Sequence, residues 1–237
     1  MSPPGGAPET AGPTTVAFDV IGTLFSLDRL HAEVRAIGAP EVGLELWFAQ
    51  SLRDFFAFSH AGGYVPLRDV LEAALPRAMR VFDAEVDADR AATAMEAMAE
   101  MDPADGAVQA CDTLVDAGCR LVALSNGSVE ATQGLLERAG LRERFAAVRS
   151  CDEVRTSKPA PAVYDLVEPV AGGERWMIAA HAWDVAGAQR AGLRGAWVSA
   201  VEGRHLTAYP SPDLRAGDLS EAARRVLELR LPAAPSG

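Results

Sequence analysis

The sequence contains little of what marks several large classes of protein. Its 237 residues include only 3 cysteines, none in a CxxC spacing, so a disulfide framework is not expected and a reducing compartment is favoured. The formal net charge is -11, and no Lys/Arg cluster interrupts the acidic background, which argues against nucleic acid or an anionic membrane as a partner. No apolar run approaches the roughly 20 residues of a membrane span. These absences favour a soluble, cytoplasmic protein whose partner is a small molecule.

Lysine is nearly absent as well. Of the 22 Lys and Arg residues, only Lys158 is a lysine. An arginine-rich chain that keeps one lysine favours a position where a compact ammonium is needed instead of a planar guanidinium. Lys158 is therefore a candidate for a functional site, although a solvated surface lysine is the usual case.

What is present is an alternation of short apolar runs with longer helical stretches. Strands are predicted at residues 15–18, 120–124, 145–148, 176–180 and 195–198, and helices at residues 105–117, 128–139, 160–167 and 184–191. This alternation predicts an α/β fold with a doubly wound parallel sheet, covered by helices on both faces. Ligands of such sheets bind beyond the carboxyl ends of the strands, where Asp19, Ser125 and His181 are expected.

The alternation stops between residues 27 and 101. Four helices are predicted there, at residues 28–37, 44–59, 66–82 and 87–101. An all-helical insertion directly after the first strand would overhang the end of that strand. We therefore predict an α/β core domain of residues 14–26 and 102–231 and a helical cap of residues 27–101. Residues 1–13 are predicted to be a disordered leader and residues 232–237 a flexible tail.

The first motif follows the first predicted strand and runs from Asp19 to Thr23. A carboxylate that ends a buried strand is held rigidly and faces the ligand side of the sheet. Gly22 lets the backbone turn sharply away, and the N–H groups of Val20 and Ile21 in this turn can stabilise negative charge. Asp19 is therefore a candidate nucleophile, although this segment taken alone favours a strand-capping Asp.

Three further motifs end at the same edge of the sheet. Ser125-Asn126-Gly127-Ser128 places a hydroxyl and an amide before a helix N-terminus, where anions bind and where simple helix caps are also common. Lys158 precedes a proline and can neutralise a nucleophile or an anionic substrate. Asp184 follows the fourth predicted strand and suits a water-activating base, a metal ligand or a helix cap.

The order of these segments, DxxGT, SNGS, KP and a late Asp, resembles the four motifs of the haloacid dehalogenase superfamily. The resemblance covers about residues 16–200, and the helical insertion matches the cap site of that superfamily. Its phosphatases carry a general acid two residues after the nucleophile, where this chain has Ile21, which cannot donate a proton. The SNGS, KPAPAVY and AWD strings are instead similar to the L-2-haloacid dehalogenase branch, whose halide leaving group needs no protonation.

The resemblance implies a two-step hydrolysis. Asp19 displaces halide from C2 of a short 2-haloacid, and water then hydrolyses the Asp19 ester to release a 2-hydroxy acid. It implies that Thr23 and Lys158 orient and charge-balance Asp19, that Asp184 positions the water, and that no metal or other cofactor is required. The implied substrate-binding residues are Val20, Ile21, Phe48, Ser125, Asn126, Tyr164, His181 and Trp183.

The chain departs from the pattern of that branch at the proposed pocket. The arginine that follows a Leu-Trp pair in the cap, and that receives the halide, is Phe48 here. The Ser and Asn of the SSNAWD string are replaced by Ala179 and His181. We expect His181 to be a compensating donor in the pocket, and Arg35 or Arg53 to be the cap residues placed to replace the guanidinium.

Three alternatives remain open from the sequence. The first is a Mg²⁺-dependent phosphatase in which Asp19, the Ile21 carbonyl and Asp184 ligate the metal. The second is a hydrolase that opens a strained ring, as in azetidine-2-carboxylate hydrolysis, with the same nucleophile. The third is a non-catalytic binding protein, which the replacement at Phe48 motivates. The related dehalogenases are often dimers, so a homodimer is an open expectation.

Overall fold

The computed structural model describes residues 13–230 and has a parallel sheet at its centre. Six strands pair in the order β3-β2-β1-β4-β5-β6, and every neighbouring pair is parallel. The predicted fold class, a doubly wound parallel α/β sheet, is confirmed. The strands are β1 (Thr14–Asp19), β2 (Arg120–Ser125), β3 (Phe145–Ser150), β4 (Glu174–Ala179), β5 (Arg194–Val198) and β6 (Leu214–Ala216). The predicted leader (except Pro13) and the predicted tail lie outside the described residues.

Five helices follow or connect the strands of the sheet. They are α5 (Ala107–Asp116), α6 (Val129–Arg138), α7 (Pro161–Tyr164), α8 (Ala182–Arg190) and α9 (Leu219–Glu228). Because helices cover both faces of such a sheet, its central strands are apolar on both sides. Every residue of β1 is buried, including Val16, Ala17 and Phe18. The core of the domain therefore lies on the two faces of β1 and its neighbours.

The strand order reverses beside β1. The chain runs outward from β1 through β2 to β3 and then returns to place β4 on the other side of β1. The connections that leave β1 and β4 diverge at this point and open a crevice at the carboxyl edge of the sheet. Asp19 is the last residue of β1, and His181 lies two residues beyond the end of β4. The topology thus brings the first and fourth motifs together.

Four helices separate β1 from α5 and are called here the helical insertion, residues 28–99. They are α1 (Asp28–Ala36), α2 (Val42–His60), α3 (Leu67–Met79) and α4 (Ala88–Ala99). The longest, α2, packs along α3, and the buried Trp47 indole donates a 2.8 Å hydrogen bond to the Leu71 carbonyl between them. No helix among residues 13–230 is both long enough and apolar enough to cross a membrane.

The structure adds two elements that the sequence interpretation did not include, β6 and α9. Strand β6 is only three residues long, and α9 follows it with Asp218 as its N-cap, accepting a 2.7 Å hydrogen bond from the Glu221 N–H. The predicted helix over residues 160–167 is wrong in length, because α7 ends at Tyr164. The chain continues to Val167 with i→i+3 hydrogen bonds instead, the pattern of a tighter turn.

Candidate active site

Asp19 stands at the start of a tight loop at the carboxyl end of β1. The Leu24 N–H donates to the Asp19 carbonyl at 3.3 Å, and the Phe25 N–H donates to the Val20 carbonyl at 2.9 Å. Gly22 lies within this loop at φ 79°, a left-handed conformation that is unfavourable for residues other than glycine. These bonds hold the loop close to the end of the strand and leave the Asp19 carboxylate 9% exposed.

Thr23 fixes one oxygen of that carboxylate. Its hydroxyl donates a 2.7 Å hydrogen bond to Asp19 Oδ2 and accepts a 3.0 Å hydrogen bond from the Ala180 N–H. The hydroxyl therefore joins the loop after β1 to the end of β4. This contact places Thr23 beside Asp19, where the sequence predicted it.

Lys158 bridges two carboxylates, one at the end of β1 and the other in the first turn of α8. Its Nζ lies 2.9 Å from Asp19 Oδ1 and 2.9 Å from Asp184 Oδ2. The side chains of Lys158 and Asp184 are both fully buried. A single compact ammonium fits between two carboxylates in this way, whereas a planar guanidinium presents its donors in a fixed fork. This geometry accounts for a lone lysine in an arginine-rich chain.

Burial and charge set opposite trends for these groups. Burial alone would raise the pKa of Asp19, but the Lys158 ammonium and the nearby His181 imidazole hold that pKa well below its ordinary value. Burial alone would lower the pKa of Lys158, but the two carboxylates raise it. Asp19 is therefore an anion and Lys158 a cation throughout the neutral pH range.

Asp184 is held from its other side by Tyr164. The Tyr164 hydroxyl donates a 2.6 Å hydrogen bond to Asp184 Oδ1, and Tyr164 is fully buried. Gly187 makes room for this contact, since a Cβ at that position would lie 2.5 Å from the Tyr164 hydroxyl oxygen. Each of the four carboxylate oxygens of Asp19 and Asp184 thus accepts a hydrogen bond from a protein donor. Tyr164 donates to Asp184 and makes no hydrogen bond with Asp19.

The SNGS motif lies at the carboxyl end of β2, next to β1. Lys158 donates its backbone N–H to Asn126 Oδ1 at 3.0 Å, and Gly127 donates its N–H to Ser125 Oγ at 2.9 Å. The residue that caps α6 is Ser128, whose hydroxyl accepts from the Ala131 N–H at 3.1 Å. Helix capping therefore does not account for Ser125 and Asn126, which are buried beside the Lys158 loop.

His181 reaches Asp19 from the end of β4. Its Nδ1 lies 3.6 Å from Asp19 Oδ2 and is buried without a hydrogen-bond partner. Burial alone would lower the pKa of His181, but the Asp19 carboxylate raises it above its ordinary value. The imidazole packs against the Trp183 ring at 5.7 Å, and Trp183 contacts Phe56 of α2 at 5.2 Å.

A cavity of 790 Å³ separates α2 from this edge of the sheet. Leu44, Phe48 and Leu52 line it from α2, while Gly22, Thr23 and His181 line it from the core. Thr23 and His181 both contact Asp19, so the cavity comes within one residue of the candidate nucleophile, which does not itself line it. Phe48, half-buried and 5.5 Å from the Trp47 ring, presents an apolar wall there.

Among the predicted substrate-binding residues, Val20 and Tyr164 have no exposed surface and Ser125 is only 1% exposed. Only the backbone of Val20 is therefore available to a ligand. The Tyr164 hydroxyl donates to Asp184, which is joined to Asp19 through Lys158. Ile21 is partly buried against the core. The sequence interpretation missed Glu202, which accepts hydrogen bonds from the Ala182 N–H at 3.0 Å and the Trp197 indole at 3.2 Å and so fixes the chain beside His181. It lies in a loop with no motif to mark it.

Comparison with known proteins places this arrangement in a family. A family model for haloacid dehalogenase-like hydrolases matches residues 13–192. The (S)-2-haloacid dehalogenase of Pseudomonas sp. (strain YL) is 30% identical over 192 residues, which is 78% of this chain and 82% of that protein. The (S)-2-haloacid dehalogenase of Xanthobacter autotrophicus is 32% identical over 189 residues, 78% of this chain and 74% of that protein.

The fold agrees with the sequence comparison. The solved structure of L-2-haloacid dehalogenase from Xanthobacter autotrophicus with chloropropionic acid covalently bound superposes with a TM-score of 0.79 at 26% identity, covering 92% of this chain and 99% of that chain. The family match spans the four motifs that meet at Asp19. This chain belongs to the haloacid dehalogenase-like hydrolases.

Proposed function

We propose that this chain is a hydrolytic 2-haloacid dehalogenase with Asp19 as its covalent nucleophile. The observation that carries the proposal is a buried, ionised carboxylate held by Lys158 and Thr23, with no proton donor two residues along the chain at Ile21. Such a site suits displacement of a leaving group that departs as a stable anion. The (S)-2-haloacid dehalogenases to which the chain is similar support a halide as that group.

The first step joins Asp19 to the substrate. A carboxylate oxygen of Asp19 attacks C2, the carbon–halogen bond breaks, and halide leaves with the bonding electrons. Thr23 and Lys158 hold the carboxylate in one orientation, which lowers the entropic cost of reaching the attack geometry. In the second step water attacks the carboxyl carbon of Asp19 and releases a 2-hydroxy acid.

Asp184 and Tyr164 support the first step because they hold Lys158 in place. Asp184 holds the ammonium at 2.9 Å, and Tyr164 fixes the second oxygen of Asp184 at 2.6 Å. We assign both as positioning residues, since each is fully buried behind Lys158.

The substrate carboxylate is assigned to the carboxyl ends of β1 and β2. Several hydrogen-bond donors are assigned to it there: the backbone N–H groups of Val20 and Ile21 and the side chains of Ser125 and Asn126. Phe48 and Trp183 supply apolar surface on the opposite side, and the helical insertion acts as the cap over the cavity. A short 2-haloacid matches this arrangement, because its carboxylate is charged and the rest of the molecule is apolar.

A Mg²⁺-dependent phosphatase is less consistent with the same geometry. Asp184 has no exposed surface, and its two oxygens already accept hydrogen bonds from Tyr164 and Lys158. A metal ligated by Asp19 and Asp184 would have to displace these donors. Ile21 also stands where the phosphatases of the superfamily carry their general acid.

The proposal is tested by product formation from both enantiomers of 2-chloropropionate and 2-bromopropionate. We expect equal amounts of halide and 2-hydroxy acid, with the same rate in the presence of EDTA. A panel of phosphate esters and azetidine-2-carboxylate is run in parallel. Phosphate release that requires Mg²⁺, or ring opening without halide release from any haloacid, would contradict the proposal.

Restoring a guanidinium at the cap is expected to increase activity. In Phe48→Arg, the new side chain extends from α2 into the cavity and can form charge-assisted hydrogen bonds with the substrate carboxylate or halide. Such bonds are worth about 1.5–3 kcal/mol, so kcat/KM for 2-chloropropionate should rise roughly 10- to 100-fold. Phe48→Lys and Phe48→Leu serve as controls for charge without the planar fork and for lost aromatic surface. Unchanged kcat/KM in Phe48→Arg would place the substrate anion away from this helix.

A further inference from the structure

We infer that His181 is the general base that activates water for hydrolysis of the Asp19 ester. This inference rests on the proposed function and assigns its second chemical step. It is carried by the position of the imidazole against the nucleophile, by the state of Asp184, and by the change in charge that ester formation causes.

Helix initiation does not explain the residue at this position. His181 is the N-cap of α8, yet its side chain makes no capping hydrogen bond. Ser, Thr, Asp and Asn are the residues that cap helices well. The imidazole turns away from the helix, lies against Trp183 and places Nδ1 3.6 Å from Asp19 Oδ2.

The surroundings keep the imidazole in this position. A Cβ at residue 22 would lie 3.1 Å from His181 Cε1, so Gly22 leaves the space that the ring occupies. His181 also lines the cavity beneath α2. The ring therefore lies beside the carboxyl group that becomes the ester and also lines the cavity, through which we infer that water enters.

Asp184, the other candidate base, is poorly placed for this step. It is fully buried, and its two oxygens accept hydrogen bonds from Tyr164 and Lys158. Abstraction of a proton from water would require Asp184 to exchange one of these partners for the water. His181 Nδ1 is also buried, but it has no hydrogen-bond partner to lose.

Ester formation changes the protonation of His181 in the required direction. In the free enzyme, the Asp19 carboxylate raises the pKa of His181 and favours the imidazolium. Alkylation converts that carboxylate into a neutral ester, so the attraction disappears and burial then lowers the pKa. Asp184 and Glu202 still face the ring electrostatically and oppose this fall, while Lys158, bound to Asp19 and Asp184, favours it. The imidazole thus becomes a base after the first step.

The protons balance over the cycle. His181 releases one proton as halide leaves the substrate. The first step therefore releases one proton and one halide ion in total. Neutral Nδ1 then accepts a proton from water as the water oxygen bonds to the Asp19 carboxyl carbon. Collapse of the tetrahedral intermediate breaks the bond to the substrate oxygen, which takes the proton from His181. The neutral carboxylic acid of Asp19 returns its own proton to His181 and restores the ion pair.

The test separates the two chemical steps in His181→Gln and His181→Asn. Rapid-quench measurements follow the first burst of halide from 2-bromopropionate, and mass spectrometry of the Asp19 peptide follows the ester. We expect burst rates within a few-fold of wild type, accumulation of the ester, and hydrolysis slowed by about 10²- to 10⁴-fold, the usual contribution of a general base. His60→Gln, on the exposed end of α2, is the matched control and should behave as wild type.

The pH profile distinguishes a base from a structural residue. Ester hydrolysis in wild type should slow as the pH falls through the imidazole titration, while the burst rate stays level; this holds even if the variants fold poorly. The acid limb should be absent in His181→Gln. Ester hydrolysis at the wild-type rate in the variants, equal losses in both steps, or no acid limb in wild type would overturn the inference. Absence of both halide and adduct in wild type would instead overturn the proposed function with it.

Discussion

Asp19→Asn is expected to abolish halide release, with kcat reduced by roughly 10⁴- to 10⁶-fold, as is typical for loss of a covalent nucleophile. The amide keeps the size of the side chain but is neutral and weakly nucleophilic. The fold should survive, because Lys158 retains Asp184 as a partner at 2.9 Å. Steady-state halide release, with circular dichroism to verify folding, is the measurement.

The control for this variant is Asp165→Asn, an exposed carboxylate just beyond α7. It removes the same charge from the protein without touching the site and should leave kcat unchanged. Halide release by Asp19→Asn within tenfold of wild type would assign the nucleophile to another side chain.

Lys158→Met is the variant with the largest expected loss of stability. It removes the buried ammonium from between Asp19 and Asp184 and leaves two buried carboxylates without their counter-charge. Breaking a buried ion pair from one side typically costs about 3–5 kcal/mol. Halide release should also fall by at least roughly 10²-fold, because the pKa of Asp19 then rises with burial and its orientation is lost.

The pH dependence of this loss has a defined sign. In wild type the pKa of Asp19 is depressed, so its contribution to stability is present above its unfolded pKa and declines as the pH falls below it. In Lys158→Met, burial raises the pKa of the carboxyls, so protonation at acid pH relieves the destabilisation. Urea unfolding at pH 5 and pH 8 should therefore show a smaller gap between the two proteins at pH 5.

Lys158→Arg separates charge from shape in the same experiment. The guanidinium keeps the positive charge but is larger and planar, and the Lys158 side chain that it replaces has no exposed surface. We expect part of the stability to return without the activity. An equal free energy of unfolding for wild type and Lys158→Met at pH 8 would show that the bridge contributes nothing to the fold.

Much of the sheet could be predicted because parallel strands are buried on both faces and form continuous apolar runs. The strands that carry the motifs, β1, β2 and β4, follow this rule. Strand β6 does not form such a run, because it has three residues and only two of them are buried. Helix α9 was also not predicted, although Asp218 and Glu221 mark its start.

The candidate site divides in a similar way. Motif order predicted which residues gather at the carboxyl edge, since the ends of parallel strands meet there. It did not predict that Lys158 contacts both carboxylates, or that the donors to Asp184 leave it enclosed. The place of His181 beside Asp19 depends on the empty space at Gly22 and on packing against Trp183. Such contacts arise from tertiary structure and have no signature in residue spacing.

A single turnover in water labelled with oxygen-18 tests the covalent role of Asp19 most directly. With enzyme in excess over 2-bromopropionate, water attacks the Asp19 carboxyl carbon, and the product takes its hydroxyl oxygen from the original carboxylate. We predict label in the peptide that contains Asp19 and an unlabelled hydroxyl in the product. Label in the product hydroxyl, with none in that peptide, would show that water displaces the halide directly and would contradict the account.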